Sequence, residues 1–299
     1  MTMPELPEVE TVMRGLIPVL VGHSIAGVEL RRSGLRFPFP VDFAARLKGR
    51  QILGLHRRAK YILVNLDDGH ALLVHLGMTG RFTVLDGSSQ PHNLGELYFE
   101  PGAIDAGSGP HDHVVITLDT GTRIIYTDHR RFGVMDLLQE RELISHRLLK
   151  DIGVEPLGNE FSGAFLASRF RKKSAPLKAA LLDQRIIAGL GNIYVNEVLY
   201  RSALSPKRKA GTLVRKISHD ARLNNLVRHV RDVLLEAIAA GGSTLRDFSG
   251  TDGREGAFQQ RFAVYDRQGE PCPRAGCRGT IRRIVQSGRS TFYCPSCQK

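Results

Sequence analysis

Met3-Pro4-Glu5-Leu6-Pro7-Glu8-Val9-Glu10 is the stretch around which the rest of the chain is read. A proline beside a methionine becomes a free secondary amine once the chain starts at that methionine and loses it. Such an amine can attack a sugar aldehyde carbon and form an iminium ion, the chemistry of a lysine Schiff base without a side chain. Glu5 and Glu8 stand near enough in sequence to shuttle protons around that attack, given surroundings that tune them. The same letters also describe an ordinary helix entry, where the helix dipole favours carboxylates in the first turn. Met1 and Thr2 precede Met3, so the Pro4 nitrogen is nucleophilic only in a chain that begins at Met3 and sheds it. Otherwise it is a tertiary amide.

Outward from this stretch, Val9, Val12, Met13, Leu16 and Leu20 recur at helical spacing. They predict an amphipathic helix from Glu8 to about Leu20, ended by Val21-Gly22 and carrying the N-terminus at its tip. From there to about Leu138 the chain reads as strands. Tyr61–Leu66, Ala71–Leu76, His113–Leu118 and Arg123–Tyr126 are short β-rich runs, and Asp67-Asp68-Gly69 and Asp119-Thr120-Gly121 mark tight turns. Strands at this spacing predict a β-sandwich flanked by helices. Asp86–His113, rich in Gly, Ser and Pro, reads as a mobile loop. Its end, His111-Asp112-His113, enters a strand with no partner cluster and is not expected to hold a metal.

Gly153, Pro156 and Gly158 lie in a polar stretch, 141–160, that is the candidate hinge. Beyond it the pattern turns helical: Ser162 caps a helix to about Arg171, Lys178–Asp183 opens another, Asn192–Tyr200 a third. His219–Ala240 is long and periodic, with Leu223, Leu226, Val227, Val230, Val233, Leu234 and Ala237 on one face. The fold class expected is α+β: an N-terminal catalytic domain (1–140), the hinge, a helical domain (161–260) and a small hairpin (261–299).

The 299 residues suffice for two domains, and at 42% hydrophobic no apolar run approaches the roughly 20 residues of a membrane span. No membrane partner is therefore expected. Lys and Arg number 42 against 30 Asp and Glu, a net charge of +12 that favours a polyanionic partner, although solubility or a membrane surface could use the same charge. The acidic N-terminus is unlike a secretory signal. All 4 cysteines fall at or after Cys272, which reads as a metal site in a reducing compartment rather than a disulfide framework. A cytoplasmic, nucleoid-associated location is expected.

Three further strings carry chemistry. Cys272-x4-Cys277 and Cys294-x2-Cys297 are two close thiolate pairs suited to one tetrahedral zinc, and the alternating sequence between them, with a Gln-Ser-Gly turn, predicts a zinc-stapled β-hairpin. Arg289 falls near its tip, where a guanidinium can fork onto a phosphate. Gly189-Leu190-Gly191-Asn192 places two glycines before a helix, a phosphate cradle or simply a glycine turn. Thr127-Asp128-His129-Arg130-Arg131-Phe132-Gly133 is either an ordinary basic turn or a wedge, in which Phe unstacks a base step and Arg replaces lost base hydrogen bonds.

Together these strings resemble the formamidopyrimidine-DNA glycosylase family, bacterial repair enzymes for oxidised guanine, over nearly the whole chain. The resemblance implies a bifunctional glycosylase and abasic-site lyase. It would bend duplex DNA in a basic cleft between two domains and release 8-oxoguanine or a formamidopyrimidine through a proline Schiff base and β,δ-elimination. It implies a helix–two-turn–helix around Asn192, Pro4 as nucleophile and Glu5 as acid/base, with Lys60 and Arg289 in the catalytic set. His75, Met78, Arg130, Phe132, Asn192, Arg254 and Tyr265 become DNA contacts, with Phe132 the wedge, Arg130 the reader of the widowed cytosine and Met78 the filler of the vacated space. Tyr265 reads almost equally well as a packing residue. One structural zinc, double-stranded DNA carrying oxidised bases and a monomeric state complete the expectation. Four departures stand out: Met1-Thr2, the Cys-x4-Cys spacing, His129 where the family commonly has Pro, and Ala257 where Tyr is frequent. The rivals are an endonuclease VIII type enzyme for oxidised pyrimidines, against which Leu6 argues, a non-catalytic damage binder with Pro4 blocked, and a bare zinc-ribbon module.

Overall fold

The structure, a computed structural model, describes residues 3–85, 92–94, 109–214, 221–243 and 258–299. It comprises two compact units, Met1–Lys150 with Ile238–Gln259 and Asp151–Ala237 with Gln260–Lys299.

The first unit opens with helix α1 (Leu6–Leu20), two residues earlier than its periodicity suggested. Pro7 explains the early start, because a first-turn position has no intrahelical N–H to lose. Among the described residues nine strands follow: β1 (Ile25–Leu30), β2 (Ile52–Arg58), β3 (Tyr61–Leu66), β4 (His70–His75), β5 (Gly80–Leu85), β6 (His92–Leu94), β7 (Asp112–Leu118), β8 (Arg123–Asp128) and β9 (Val134–Gln139), with the short helix α2 (Phe43–Leu47) after β1. They pair antiparallel into sheets ordered β1-β7-β8-β5-β6 and β2-β3-β4-β9. Alternation supplies the shared core. Ile62 and Val64, Leu72 and Val74, and Met135 and Leu137 meet Phe82, Val84, Val114, Ile116 and Ile124 of the other sheet, joined by Val9, Val12, Met13, Leu16 and Leu20 of α1. The expected sandwich is thus in place. The stretch expected as one loop, 86–113, contains β6 against β5 and the start of β7; residues 86–91 and 95–108 lie outside the described residues.

The second unit is helical: α3 (Gly163–Phe170), α4 (Leu177–Leu182), α5 (Asn192–Arg201) and α6 (Ala221–Ala239), whose last two residues fall in the first unit. Ser162 caps α3 as its sequence indicated, its Oγ accepting the Phe165 N–H at 3.1 Å. All seven residues of the predicted α6 face are buried. The start expected at His219 lies outside the described residues. The unit closes with the hairpin β10 (Arg282–Gln286) and β11 (Arg289–Tyr293). Ser287 and Gly288 both have positive φ, 49° and 72°, the backbone of a two-residue turn that matches strand twist.

Candidate functional site

At the tip of α1, Pro4 is buried and Glu5 and Glu8 are 2% and 3% exposed. Glu5 sits at the N-cap, and its N–H, the amide on the carbonyl side of Pro4, donates to Glu8 Oε2 at 2.9 Å. The other Glu8 oxygen accepts the Ser243 N–H and Oγ–H, both at 2.8 Å. Gly242 makes this approach possible: at φ +89° it is in the left-handed region, and a Cβ there would stand 3.2 Å from Glu8 Oε1. One carboxylate therefore joins the Pro4–Glu5 peptide to the chain after α6.

Two turns of the first unit carry the expected wedge. Gly77 of the β4–β5 turn has φ +70°, and a Cβ on it would overlap Phe132 C and Gly133 N at 2.5 Å, so the turn bearing Met78 lies directly against the turn bearing Phe132. Asp128, fully buried, ties them together: Oδ1 accepts the Thr79 hydroxyl at 2.5 Å and Oδ2 the Gly133 N–H at 2.8 Å, while Thr79 Oγ1 accepts the Arg130 N–H at 3.1 Å. Arg131 takes φ +56°, which turns the chain so that Phe132 stands 43% exposed with the Arg130 guanidinium 4.8 Å over its ring. The structure thus sets the turn that carries Met78 against the turn that carries Arg130 and Phe132. Asp128 escaped the sequence reading; its available signal was a turn-forming Asp ahead of Arg-Arg-Phe-Gly. His129 stacks on His111 at 4.3 Å, His113 Nε2 bonds the Asp128 carbonyl at 2.9 Å, and Asp112 Oδ1 accepts the Thr127 hydroxyl at 2.5 Å.

Lys60 is buried in the β2–β3 turn beside Ala59, whose φ is +54°. Its neighbour Arg57 pairs with Glu10 at 2.7 Å and donates to the Ala59 carbonyl at 3.0 Å. His75 faces Tyr61 across the strands, ring centroids 4.9 Å apart, and its Nδ1 accepts the Gly77 N–H at 3.0 Å. Burial, then the Lys60 and Arg36 charges, depress its pKa from 6.5 to about 4. The ring is neutral, and with Nδ1 accepting, its proton sits on Nε2.

In the second unit, Gly189 (φ +74°) and Gly191 shape the turn into α5, and Gln184 clamps it, accepting the Gly189 N–H at 2.9 Å and donating to the Leu190 carbonyl at 2.7 Å. Asn192 is the first residue of α5, and its buried Oδ1 has no partner among the described residues. Glu197 on the same helix accepts the N–H groups of Ala263, Val264 and Tyr265 at 2.8–3.0 Å. The Tyr265 ring packs edge-on against Phe262 and Phe292, at 5.5 and 5.1 Å. Arg289 is exposed at the first position of β11. Arg254 and Ala257 lie outside the described residues.

The sulfurs of Cys272, Cys277, Cys294 and Cys297 all lie within 4.8 Å of one another, with 3.8 Å between Cys272 and Cys297 and 3.6 Å between Cys277 and Cys294. A zinc with Zn–S bonds of about 2.3 Å needs sulfurs about 3.8 Å apart, so the donor set fits tetrahedral zinc. The longer Cys-x4-Cys spacing is absorbed by a turn: Cys277 N–H donates to the Arg274 carbonyl at 3.0 Å, and Gly276 takes φ +74°. Arg274 then stacks on Tyr200 of α5, 4.8 Å from its ring.

Three family models match in sequence: the formamidopyrimidine-DNA glycosylase N-terminal domain over residues 3–135, its H2TH domain over 152–249, and a zinc finger found in FPG and IleRS over 269–299. A formamidopyrimidine-DNA glycosylase of Beijerinckia indica is 57% identical over 99% of this chain and 100% of its own length, and one from a Methylobacterium species is 55% identical over 99% of both. Among solved structures, the Lactococcus lactis Fpg in complex with abasic-site-containing DNA matches with a TM-score of 0.82 at 31% identity, covering 99% of each chain. MutM in complex with DNA containing carbocyclic 8-oxo-G matches with a TM-score of 0.82 at 32% identity, over 99% of this chain and 100% of that one. Domain models in this order, with relatives above half identity from end to end, place the chain in the formamidopyrimidine-DNA glycosylase family.

Proposed function

We propose that Pro4, as the N-terminal residue of the working enzyme, is the nucleophile of a DNA repair glycosylase and abasic-site lyase acting on oxidised purines. The observation that carries this reading is the Glu5–Glu8 cluster buried around the Pro4–Glu5 peptide at the tip of α1. The Pro4 nitrogen attacks the sugar C1′, and the damaged base leaves with the bonding pair and takes up a proton. Glu5 takes the proton of the attacking amine and passes it to the ring oxygen as the sugar opens to the iminium. The iminium acidifies C2′; loss of that proton expels the 3′-phosphate, and a second elimination expels the 5′-phosphate.

Phe132, Arg130 and Met78 enter the duplex as one rigid set and fill the space of the extruded base. Lys60 and Arg289 are assigned to the catalytic set as cations at the leaving phosphates. His75 donates from a neutral Nε2–H, and Asn192 offers its amide where the α5 dipole favours an anion. Arg254 and Tyr265 are grouped with the DNA contacts. Bound by four thiolates, zinc is structural and keeps the hairpin that carries Arg289 folded. The functional division into 1–140, a 141–160 hinge, 161–260 and 261–299 belongs to this proposal, as does action by a monomer in the cytoplasm at the nucleoid. Among the described residues no helix is long and apolar enough to cross a membrane.

Borohydride trapping on a duplex with one 8-oxoguanine opposite cytosine tests the mechanism. A covalent adduct mapping to Pro4 is the expected result. Specific binding without an adduct makes the chain a binder with its proline nitrogen locked in an amide.

A further inference from the structure

Among the described residues β11 pairs only with β10, so its outer edge presents backbone groups that a third strand would ordinarily take. Two buried side chains occupy that edge instead. Lys178 of α4, 1% exposed, donates from Nζ to the Ser290 carbonyl at 2.8 Å and to Thr291 Oγ1 at 2.7 Å. Asn196 of α5, also 1% exposed, accepts the Phe292 N–H at 2.8 Å on Oδ1 and donates from Nδ2 to the Asn192 carbonyl at 2.6 Å. Ser290 and Phe292 are two residues apart, and in a strand such residues point their backbone groups to the same side. A donor and an acceptor from two helices thus imitate a neighbouring strand at its own spacing. An apolar pair would dock the hairpin through area alone and tolerate sliding. The bonds of Lys178 to Ser290 and Thr291 and of Asn196 to Phe292 form in one register only, and a one-residue slip would break them. Arg289 immediately precedes the docked residues.

We propose that Lys178 and Asn196 are positioning residues for Arg289. They lock β11 to α4 and α5, so that the guanidinium and Asn192 meet the DNA backbone as one unit. This rests on the reading of Arg289 as a phosphate contact. The zinc-loaded, full-length protein is titrated with a duplex carrying a tetrahydrofuran abasic analogue across a range of salt. Arg289→Ala sets the reference, since losing one phosphate contact lowers the slope of log affinity against log salt by about 0.9. Lys178→Met and Asn196→Ala are each expected to lower affinity by about five- to tenfold and to lose most of that same slope, with one zinc per chain retained. In the Arg289→Ala background neither is expected to change the slope further, because the group they position is gone. Slope losses that add in the double variants, or a wild-type slope in the single ones, overturn the proposal. If Arg289→Ala itself leaves the slope untouched, the reading of Arg289 is what fails, and the proposal falls with it. Should Lys178→Met not fold, Asn196→Ala carries the same test, and Lys178→Arg, which keeps a donor at that edge, is expected to retain the wild-type slope.

Discussion

A neutral His75 has a signature in both DNA binding and stability, which a single substitution exposes. Its Nδ1 takes the Gly77 N–H at 3.0 Å, and burial with the Lys60 and Arg36 charges holds its pKa near 4. A neutral donor adds a hydrogen bond to a phosphate but displaces no counterion. With His75 and Lys60 in their proposed roles at the DNA backbone, His75→Gln is therefore expected to weaken binding to an abasic-analogue duplex by about 0.5–1.5 kcal/mol with no change in salt slope, whereas Lys60→Met is expected to lower the slope by about 0.9. For stability, the sign follows from the unfolded chain, where His titrates near 6.5. Above that pH both states are neutral and the full stability is present; as pH falls towards 4 the unfolded state takes up a proton that the folded state refuses, and stability is lost. Each tenfold in proton activity is worth about 1.4 kcal/mol, so wild type should lose about 2 kcal/mol more than His75→Gln between pH 7.5 and pH 5, and about 3 by pH 4. Urea unfolding of both proteins at these pH values reads the difference. Losses that agree to within about 0.5 kcal/mol, or a lower salt slope for His75→Gln, would refute the neutral ring.

Other expectations follow from the same geometry. Asp128→Ala strands the Thr79 hydroxyl and the Gly133 N–H, two bonds to a buried carboxylate worth about 1.5–3 kcal/mol each, so urea unfolding should show a loss of about 3–6 kcal/mol. A loss under about 1 kcal/mol would mean that other contacts hold the wedge turn. Phe132→Ala removes an aromatic that is 43% exposed, so the unfolding midpoint should barely move while excision of 8-oxoguanine falls by at least about tenfold; equal excision by both proteins would remove the wedge. Chelating zinc should abolish amide protection in β10 and β11 and weaken DNA binding while the sandwich, which contains no cysteine, keeps its own protection; zinc readdition should reverse both. Retained hairpin protection without metal would show that Lys178 and Asn196 suffice to hold it.

The family resemblance was carried by short, contiguous strings, and those strings fold locally. Asp-His-Arg-Arg-Phe-Gly is one turn, Gly-Leu-Gly-Asn one helix entry, and the two cysteine pairs flank one hairpin. His129 stands in a turn that Asp128 ties to Thr79 and Gly133. Tyr61–Leu66, with clean alternation, was found to the residue, while the strands expected at Ala71–Leu76, His113–Leu118 and Arg123–Tyr126 run His70–His75, Asp112–Leu118 and Arg123–Asp128. Those interrupted by glycine or charge, Ile25–Leu30 and Ile52–Arg58, were absorbed into a general strand region. The pairing of Arg57 with Glu10, 47 residues away, has no local signal at all.

The sequence by itself determined what depends on period and spacing: the apolar stripe of α1, the alternation of the sandwich, the Ser162 cap and the four-thiolate set. Local sterics and one-dimensional hydrophobic patterns act between near neighbours, so they are written in the order of the residues. Tertiary structure alone decided which polar groups meet: Glu8 with Ser243 across 235 residues, Asn196 with Phe292 across 96, Thr79 with Asp128 across 49. Such bonds have no periodicity, because a buried donor accepts any partner that packing brings within about 3 Å, whatever its place in the chain.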